Sequence, residues 1–270
     1  MLATRPAAVA GSFYPGDPST LAVEVAACLR DAVKPLPDER APKAIIAPHA
    51  GYVYSGPIAA SAYARVAPLR GKISRVVLAG PAHRVPVAGA AVPQAGAFAT
   101  PLGDVPLDEE ALARLRRLPF VETSDRSHAL EHSLEVHLPF LQSVLGRFRL
   151  VPVVVGDVSP GEMAELLDEV WGGDETLVVV SSDLSHYLPY GAARERDRAT
   201  AASILALSPR LDPQDACGAA PVNGLLEVAR RRGLEVELLD LRNSGDTAGN
   251  RSQVVGYGAF MFREPEPHHA

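Results

Sequence analysis

Three histidines stand just beyond short apolar runs. His49 follows Ile45-Ile46-Ala47-Pro48, His83 follows Val76-Val77-Leu78-Ala79-Gly80-Pro81-Ala82, and His186 follows Leu177-Val178-Val179-Val180 and the link Ser181-Ser182-Asp183-Leu184-Ser185. Such runs, closed by Gly, Pro or Ser, read as strands buried on both faces. In α/β proteins, polar side chains just past the carboxyl ends of these strands converge on the ligand crevice, so three imidazoles can meet in one place. Neutral imidazole is the commonest metal-ligand side chain, and His49 and His83 on adjacent strand ends make half a metal site. After His49, Gly51 and Gly56 allow close backbone approach, and Tyr52 and Tyr54 can line a pocket.

Asp183 and His186 are three apart, a spacing that one helical turn would bring to one side. A carboxylate there can orient the imidazole, making His186 a general acid/base instead of a ligand; the alternative makes Asp183 a helix cap and His186 a surface residue. The segment from His128 to His137 has the outline of a metal box, with His128 and His132 four apart. Ala129 stands where a zincin helix needs Glu, so the segment reads as support or pocket lining, with His132 and Glu135 as neighbours on one helix face, or else as a solvated face. Ser181, Ser182, Asp183 and His186 are triad residue types, but no G-x-S-x-G elbow contains them. No phosphate loop or dinucleotide fingerprint is present.

The elements that must carry these residues alternate. Asp17-Pro18 opens a helix over about 18–33, strands follow at 44–47 and 76–79, and between them Ser55-Gly56-Pro57 opens a second helix. Asp108 caps a helix through 115, 132–145 reads as one amphipathic helix, 150–155 as a strand, and Ser159-Pro160 starts a helix to about 170. The strand at 177–180, helices at 191–206 and 219–231, and strands at 236–241 and 254–262 complete the chain. This order predicts an α/β fold with a mostly parallel central sheet flanked by helices.

Composition narrows the function. With 47% hydrophobic and 21% charged residues the chain has enough apolar material for a core, which excludes a disordered protein. A net charge of −6, with no basic block longer than Arg230-Arg231-Arg232, leaves no footprint for nucleic acid. No apolar stretch is long enough for a bilayer, and the segment Met1–Pro6 lacks the apolar run of a signal peptide, so the expected location is cytoplasmic. Cys28 and Cys217 are too few and too distant for a disulfide framework; each reads as a buried small hydrophobe.

Five segments in order complete the picture: Val9-Ala10-Gly11-Ser12-Phe13-Tyr14-Pro15, Ala47-Pro48-His49-Ala50-Gly51-Tyr52-Val53-Tyr54-Ser55-Gly56, Gly80-Pro81-Ala82-His83, Glu131-His132-Ser133-Leu134-Glu135-Val136-His137-Leu138-Pro139, and Ser181 to His186. Together they resemble the Memo family, called AmmeMemoRadiSam system protein B in prokaryotes, over about residues 5–262. That family is similar in fold to the class III, LigB-type extradiol dioxygenases, which implies a single-domain α/β sandwich (core about 5–263, with 264–270 a disordered tail). In those enzymes two His and one carboxylate hold a non-haem Fe(II) with open positions. By resemblance His49 and His83 match the metal-binding histidines and His186 a further active-site histidine. The family's metal-binding cysteine falls within Asn243 to Thr247, where this chain has none. Thr247 is its positional counterpart, and Asp246 the better ligand chemically.

The resemblance therefore implies a metal site of His49, His83 and Asp246 holding Fe(II), with Cu or Zn as alternatives. It implies a metal-dependent redox enzyme acting on a small molecule, in which His186 shuttles a proton, Asp183 orients it, and Tyr52, Tyr54, His132 and Glu135 shape the pocket. A non-catalytic metal- or peptide-binding adaptor is the second reading and a metal-dependent hydrolase the third. The prokaryotic family name implies a functional link to AMMECR-type and radical SAM proteins.

Overall fold

The computed structural model of the chain describes residues 2–265. In chain order the elements are β1 (Thr4–Arg5), α1 (Pro18–Asp31), β2 (Ala44–Ala47), α2 (Tyr52–Val66), β3 (Arg75–Pro81), β4 (Ala90–Val92), β5 (Ala97–Phe98), β6 (Val105–Pro106), α3 (Glu109–Leu115), β7 (Val121–Thr123), α4 (Asp125–Ala129), α5 (His132–Glu135) and α6 (Leu138–Leu145). They continue as β8 (Arg149–Val155), α7 (Pro160–Val170), β9 (Thr176–Ser181), β10 (His186–Leu188), α8 (Tyr190–Leu205), α9 (Ala219–Arg232), β11 (Glu235–Asn243) and β12 (Val254–Arg263).

At the centre, β2, β9, β3 and β8 lie side by side, all parallel. Every residue of β2 and β9 is buried, as strands covered by helices on both faces must be. The helices α1, α2 and α6 pack together on one side, while α9 crosses β9 and β3 beside α7 on the other. The expected α/β sandwich is therefore present, with parallel pairing in the middle and again between β4 and β7 at one edge. β12 runs antiparallel to β2, and β4 antiparallel to β8; β11 and β12 pair antiparallel because they are successive strands joined by a return rather than by a crossover helix.

Local chemistry sets most helix starts. Asp17 accepts from Thr20 N ahead of Pro18, Asp108 accepts from Ala111 N, and Ser159 with Glu162 forms a reciprocal capping box ahead of Pro160. Two helices depart from expectation. α2 begins at Tyr52, where the backbone N–H of Tyr52 donates to Phe13 O, so Pro57 lies inside it; the carbonyl that Pro57 cannot pair belongs to Val53, on an exposed face. The segment 132–145 is two helices, since Pro139 has no N–H to continue the ladder from α5 and instead occupies the first turn of α6. The expected tail from 264 lies, beyond residue 265, outside the described residues. No helix among the described residues is long and apolar enough to cross a membrane.

Glu135, expected at the pocket, is a structural knot instead. Its Oε1 accepts from Tyr14 OH (2.5 Å) and Val9 N (2.9 Å), and its Oε2 accepts from Ala8 N (2.7 Å) and pairs with Arg5. Arg5 also donates to the carbonyls of His128 and Glu131, both at 2.7 Å, so one buried ion pair binds the segment 5–14 to α4 and α5. Removing one partner of such a pair strands the other charge. Glu135→Ala should lower the unfolding free energy by about 3–5 kcal/mol in chemical denaturation; a loss below about 1 kcal/mol, the level of an exposed pair, would refute this role.

His128 caps a second buried contact. Its Nε2–H donates to Ala91 O (3.0 Å), while Nδ1 is buried with no hydrogen-bond partner. A proton on Nδ1 would find no acceptor, and burial lowers the pKa from 6.5 to about 4. Between these two values the unfolded chain binds more protons than the folded one, so this residue's contribution is complete above 6.5 and is lost as pH falls toward 4. Replacing it in His128→Gln should leave a stability deficit at pH 7 that shrinks by up to about 3 kcal/mol as the pH is lowered to 4. A deficit constant over that range would show that the ring does not titrate this way.

Candidate metal centre

The sheet order brings the site together. β9 lies between β2 and β3, with Ala47 opposite Ser181 and Ala79 opposite Val180, so His49 and His83 emerge on either side of the end of β9. α5 packs against β3 from the next layer and supplies His132 at its first turn. The three rings are mutually close, with centroids 5.1 Å apart for His49–His83, 5.5 Å for His49–His132 and 4.6 Å for His83–His132. One ligand nitrogen from each lies within 4.8 Å of the other two. They sit at the base of an open vestibule of about 1060 Å³ that Asp183, His186, Tyr54 and Cys217 also line.

Hydrogen bonds determine which nitrogen each ring offers. Ser181 Oγ donates to the carbonyl of Ser133 (2.6 Å), so toward the two imidazoles it touches it can only accept. His49 therefore carries its proton on Nδ1, 2.6 Å from Ser181 Oγ, and His137 carries its own on Nε2, 2.8 Å from the same oxygen. His137 Nδ1 in turn accepts from Tyr63 OH (2.8 Å). The outcome for His49 is a lone pair on Nε2, the nitrogen on the side of Cys217 Sγ.

Glu131 does the same for His83. It caps α5 through Ser133 N (2.9 Å) and accepts from both the backbone N (2.6 Å) and the ring Nδ1 (3.0 Å) of His83. Burial alone would raise the carboxyl pKa, but the hydrogen bonds from the His83 ring, Ser133 N and His83 N hold it at about 2. An ionised Glu131 requires a proton on His83 Nδ1, which again leaves Nε2 as the lone-pair nitrogen. His132 Nδ1 is buried without a hydrogen bond, 3.4 Å from Glu131 Oε1.

Burial, joined at His49 and His132 by the neighbouring rings, disfavours the imidazolium form of these side chains and of His137. Burial first, then the neighbouring rings of His83, His132, His137 and His186, lower the pKa of His49 well below its usual range. Burial and His83 bring His132 to about 4, and burial brings His137 to about 3. Neutral imidazoles are the form a metal ion requires, and His49, His83 and His132 each bring a ligand nitrogen within 4.8 Å of the others. The residues present fit a transition metal.

The structure departs from the expected third ligand. Asp246 lies in a 3₁₀ turn whose capping box folds its carboxylate back onto Asn243 N (3.1 Å), and its other oxygen accepts from Tyr190 OH (2.6 Å). It lines a separate small cavity beside Arg194 and Arg198, not the vestibule. Thr247 is likewise engaged locally, donating to Ser244 O (3.2 Å). His132, expected only in the pocket wall, is the third member of the histidine group.

Asp183 and His186 both face the vestibule, but not as a pair. Asp183 accepts from the backbone N–H of His49 (2.8 Å), and burial raises its pKa to about 7. His186 donates from Nδ1 to Leu184 O (2.8 Å), so a carbonyl and not Asp183 orients it. The helical turn expected over 181–187 is absent; Ser182 to Ser185 form an extended link, and β10 starts at His186. Burial lowers the His186 pKa. Tyr54 reaches the vestibule as expected, whereas Tyr52 is buried below it and donates to Val136 O (2.6 Å).

Ser181, Glu131 and His137 were not singled out by their types alone; only their position at a strand end or helix cap reveals them. Cys217 was read as a small hydrophobe, yet its Sγ lies 3.4 Å from His49 Nε2.

Similarity to known proteins agrees with this architecture. The family model Memo, described as Memo-like protein, matches residues 5–261. MEMO1 family proteins of Sulfolobus acidocaldarius, Methanopyrus kandleri and Aquifex aeolicus are 34%, 37% and 36% identical to this chain. Those matches cover 94%, 96% and 96% of it and 98%, 99% and 98% of their own lengths. Among solved structures, an uncharacterized protein of Escherichia coli K12 aligns with a TM-score of 0.46 at 11% identity, over 79% of this chain and 98% of that one. On the family model and these near-full-length relatives, the chain belongs to the Memo family.

Proposed function

We propose that this Memo-family protein is a metal-dependent oxidoreductase acting on a small dihydroxy compound with dioxygen, in a site of the extradiol-dioxygenase kind. The observation that carries the reading is the group His49, His83 and His132, offering ligand nitrogens within 4.8 Å of one another at the base of an open vestibule. Those three residues would hold the ion, Fe(II) by the family's resemblance, with Zn or Cu compatible with the same nitrogen donors. When bound, the ion supplies Lewis acidity and open positions for ligand exchange.

The chain's own groups divide the remaining tasks. Ser181 and Glu131 hold His49 and His83 in the tautomers that present Nε2. His186, neutral and fixed by Leu184 O, has its Nε2 available as a base for a substrate hydroxyl proton. Asp183, its pKa raised by burial to about 7, is available in both protonation states near neutral pH and in its protonated form can return a proton, so the two groups serve as base and acid. Tyr54 and Phe13 supply aromatic wall for a planar substrate.

Anaerobic loading with Fe(II), followed by equilibrium metal analysis, tests the site. His132→Ala should lose binding as His49→Ala does, whereas Asp246→Ala should bind like the unaltered protein. Equal binding by unaltered protein and a His49→Ala/His83→Ala variant would end the proposal. Ser181→Ala, which frees the His49 ring, should weaken metal affinity about 10–100-fold; unchanged affinity would remove Ser181 from the positioning role. With metal bound, oxygen uptake on a panel of catechols should vanish in His186→Ala while metal content stays constant. Uptake that survives that substitution would reassign the base.

A further inference from the structure

Among the described residues four tyrosines are buried, and three of them spend their hydroxyl on the protein. Tyr14 OH donates to Glu135 Oε1 (2.5 Å), Tyr52 OH to Val136 O (2.6 Å) and Tyr63 OH to His137 Nδ1 (2.8 Å). Tyr257 is the fourth, with 1% of its surface exposed, and among the described residues its hydroxyl has no hydrogen-bond partner. A buried phenol normally finds an acceptor, so an unspent one needs a reason. Its surroundings supply one: Tyr257 lines the vestibule, and its oxygen is not among the polar atoms sealed without a partner in the core.

The strands fix where that O–H stands. In β12, Val255 and Tyr257 are alternate residues on one strand face, His186 of β10 lies opposite Val255, and all three line the vestibule. The link before β10 is laced to the same strand, with Leu184 N donating to Gly256 O and Gly256 N to Ser185 O, both at 2.8 Å. Asp197 of α8 secures this junction from behind by accepting from Ser185 N (3.0 Å). A Cβ on residue 256 would lie 2.1 Å from Asp197 Oδ2, so only glycine there lets β12 lie this close to α8. His186 and Tyr257 are thereby held on one frame, a base and an O–H donor on the same wall. The donor also keeps its proton: burial first, then the neighbouring Asp183, Tyr54 and Tyr187, raise its pKa far above the usual phenol range. Tyr54 and Tyr187, the other phenols of the vestibule, are exposed, so water competes for their hydroxyls.

We infer that Tyr257 is a further catalytic residue, donating its O–H to the substrate oxygen that His186 deprotonates and holding the oxyanion so formed. The inference rests on the dihydroxy-compound reading above and adds to it the group that steadies the developing charge. In this step the substrate O–H bond breaks, its proton passes to His186 Nε2, the electron pair stays on the substrate oxygen, and Tyr257 retains its own proton. A donor already aimed at the place where charge develops, in a site that excludes water, needs no reorganisation when the proton leaves.

Nitrocatechol, whose colour reports whether its hydroxyl is ionised, tests this without turnover. Titrated anaerobically into the full chain loaded with redox-inert Zn(II), it gives an affinity at each pH and the pH at which the bound probe ionises. Tyr257→Phe removes one oxygen from a buried ring. With zinc content unchanged, it should weaken binding of the ionised probe about tenfold more than that of the neutral probe, and raise the pH of bound ionisation by about one unit. A residue that only fills space would change both forms alike, so equal weakening, or none, overturns the assignment and leaves the site reading intact. Should Tyr257→Phe fail to fold, a fluorinated tyrosine incorporated at the same position is a stronger donor and should move bound ionisation to lower pH; no movement overturns the assignment. If the zinc-loaded, unaltered protein takes up no nitrocatechol, the dihydroxy-compound reading falls and the role of Tyr257 with it. If that protein binds no zinc, the metal site falls as well.

Discussion

The hydrogen bond from Ser181 Oγ to the carbonyl of Ser133 governs the chemistry of the whole site. It joins the end of β9 to the first turn of α5, and because a hydroxyl has one proton, giving it to Ser133 obliges Ser181 to accept from His49 and His137. One fixed donor direction therefore propagates through four side chains, from Tyr63 through His137 and Ser181 to His49, and ends as a lone pair facing the vestibule. Glu131 repeats the arrangement for His83 by a different means, using a carboxylate held ionised by helix-capping and ring hydrogen bonds. Both devices need α5 to sit against β3, and that position is secured from behind by the buried pair of Arg5 and Glu135.

Burial and tautomer act together. Three imidazoles whose centroids lie 4.6–5.5 Å apart cannot all be charged in a dry site, and desolvation alone already disfavours the imidazolium. The cluster consequently offers donor lone pairs at neutral pH without any neighbouring anion having to extract protons. The same dryness works in the opposite sense on Asp183, which is pushed toward retaining its proton. Burial thus lowers the pKa of His49 and His132 and raises that of Asp183 beside them, one cause acting on groups of opposite charge type.

The strand framework was legible because fully buried strands announce themselves as unbroken β-branched runs, and the residue after such a run is at the carboxyl edge wherever the chain goes next. His49 and His83 could be placed on that basis alone. His132 could not, since its role depends on α5 being a separate short helix, and that break is made by Pro139, seven residues further on. Tyr52 and Glu135 misled for a related reason: Tyr52 adjoins the vestibule residue Gly51 and Glu135 follows His132 by three, yet both side chains turn into the core. Asp183 and His186 have the spacing of a helical pair in a segment that is extended, so a period that would join them in a helix separates their partners. The antiparallel flank was visible in principle, because two late strands with only a tight return between them cannot pair in parallel.

The exchange of ligand positions follows from what neighbouring backbone leaves each side chain free to do. Asp246 has the better ligand chemistry, but a capping box satisfies one oxygen on its own turn and Tyr190 the other, so no lone pair is directed at the histidines. Cys217 comes from a segment with no motif of its own, yet Gly218 allows α9 to press against the end of β9 and set sulfur beside His49. Donor type proposes a ligand; the unspent hydrogen-bonding capacity of the donor, and the closeness its backbone permits, decide whether it can serve. By that criterion Asp246 is spent on its own turn, whereas the three imidazoles keep a ligand nitrogen each within 4.8 Å of the others.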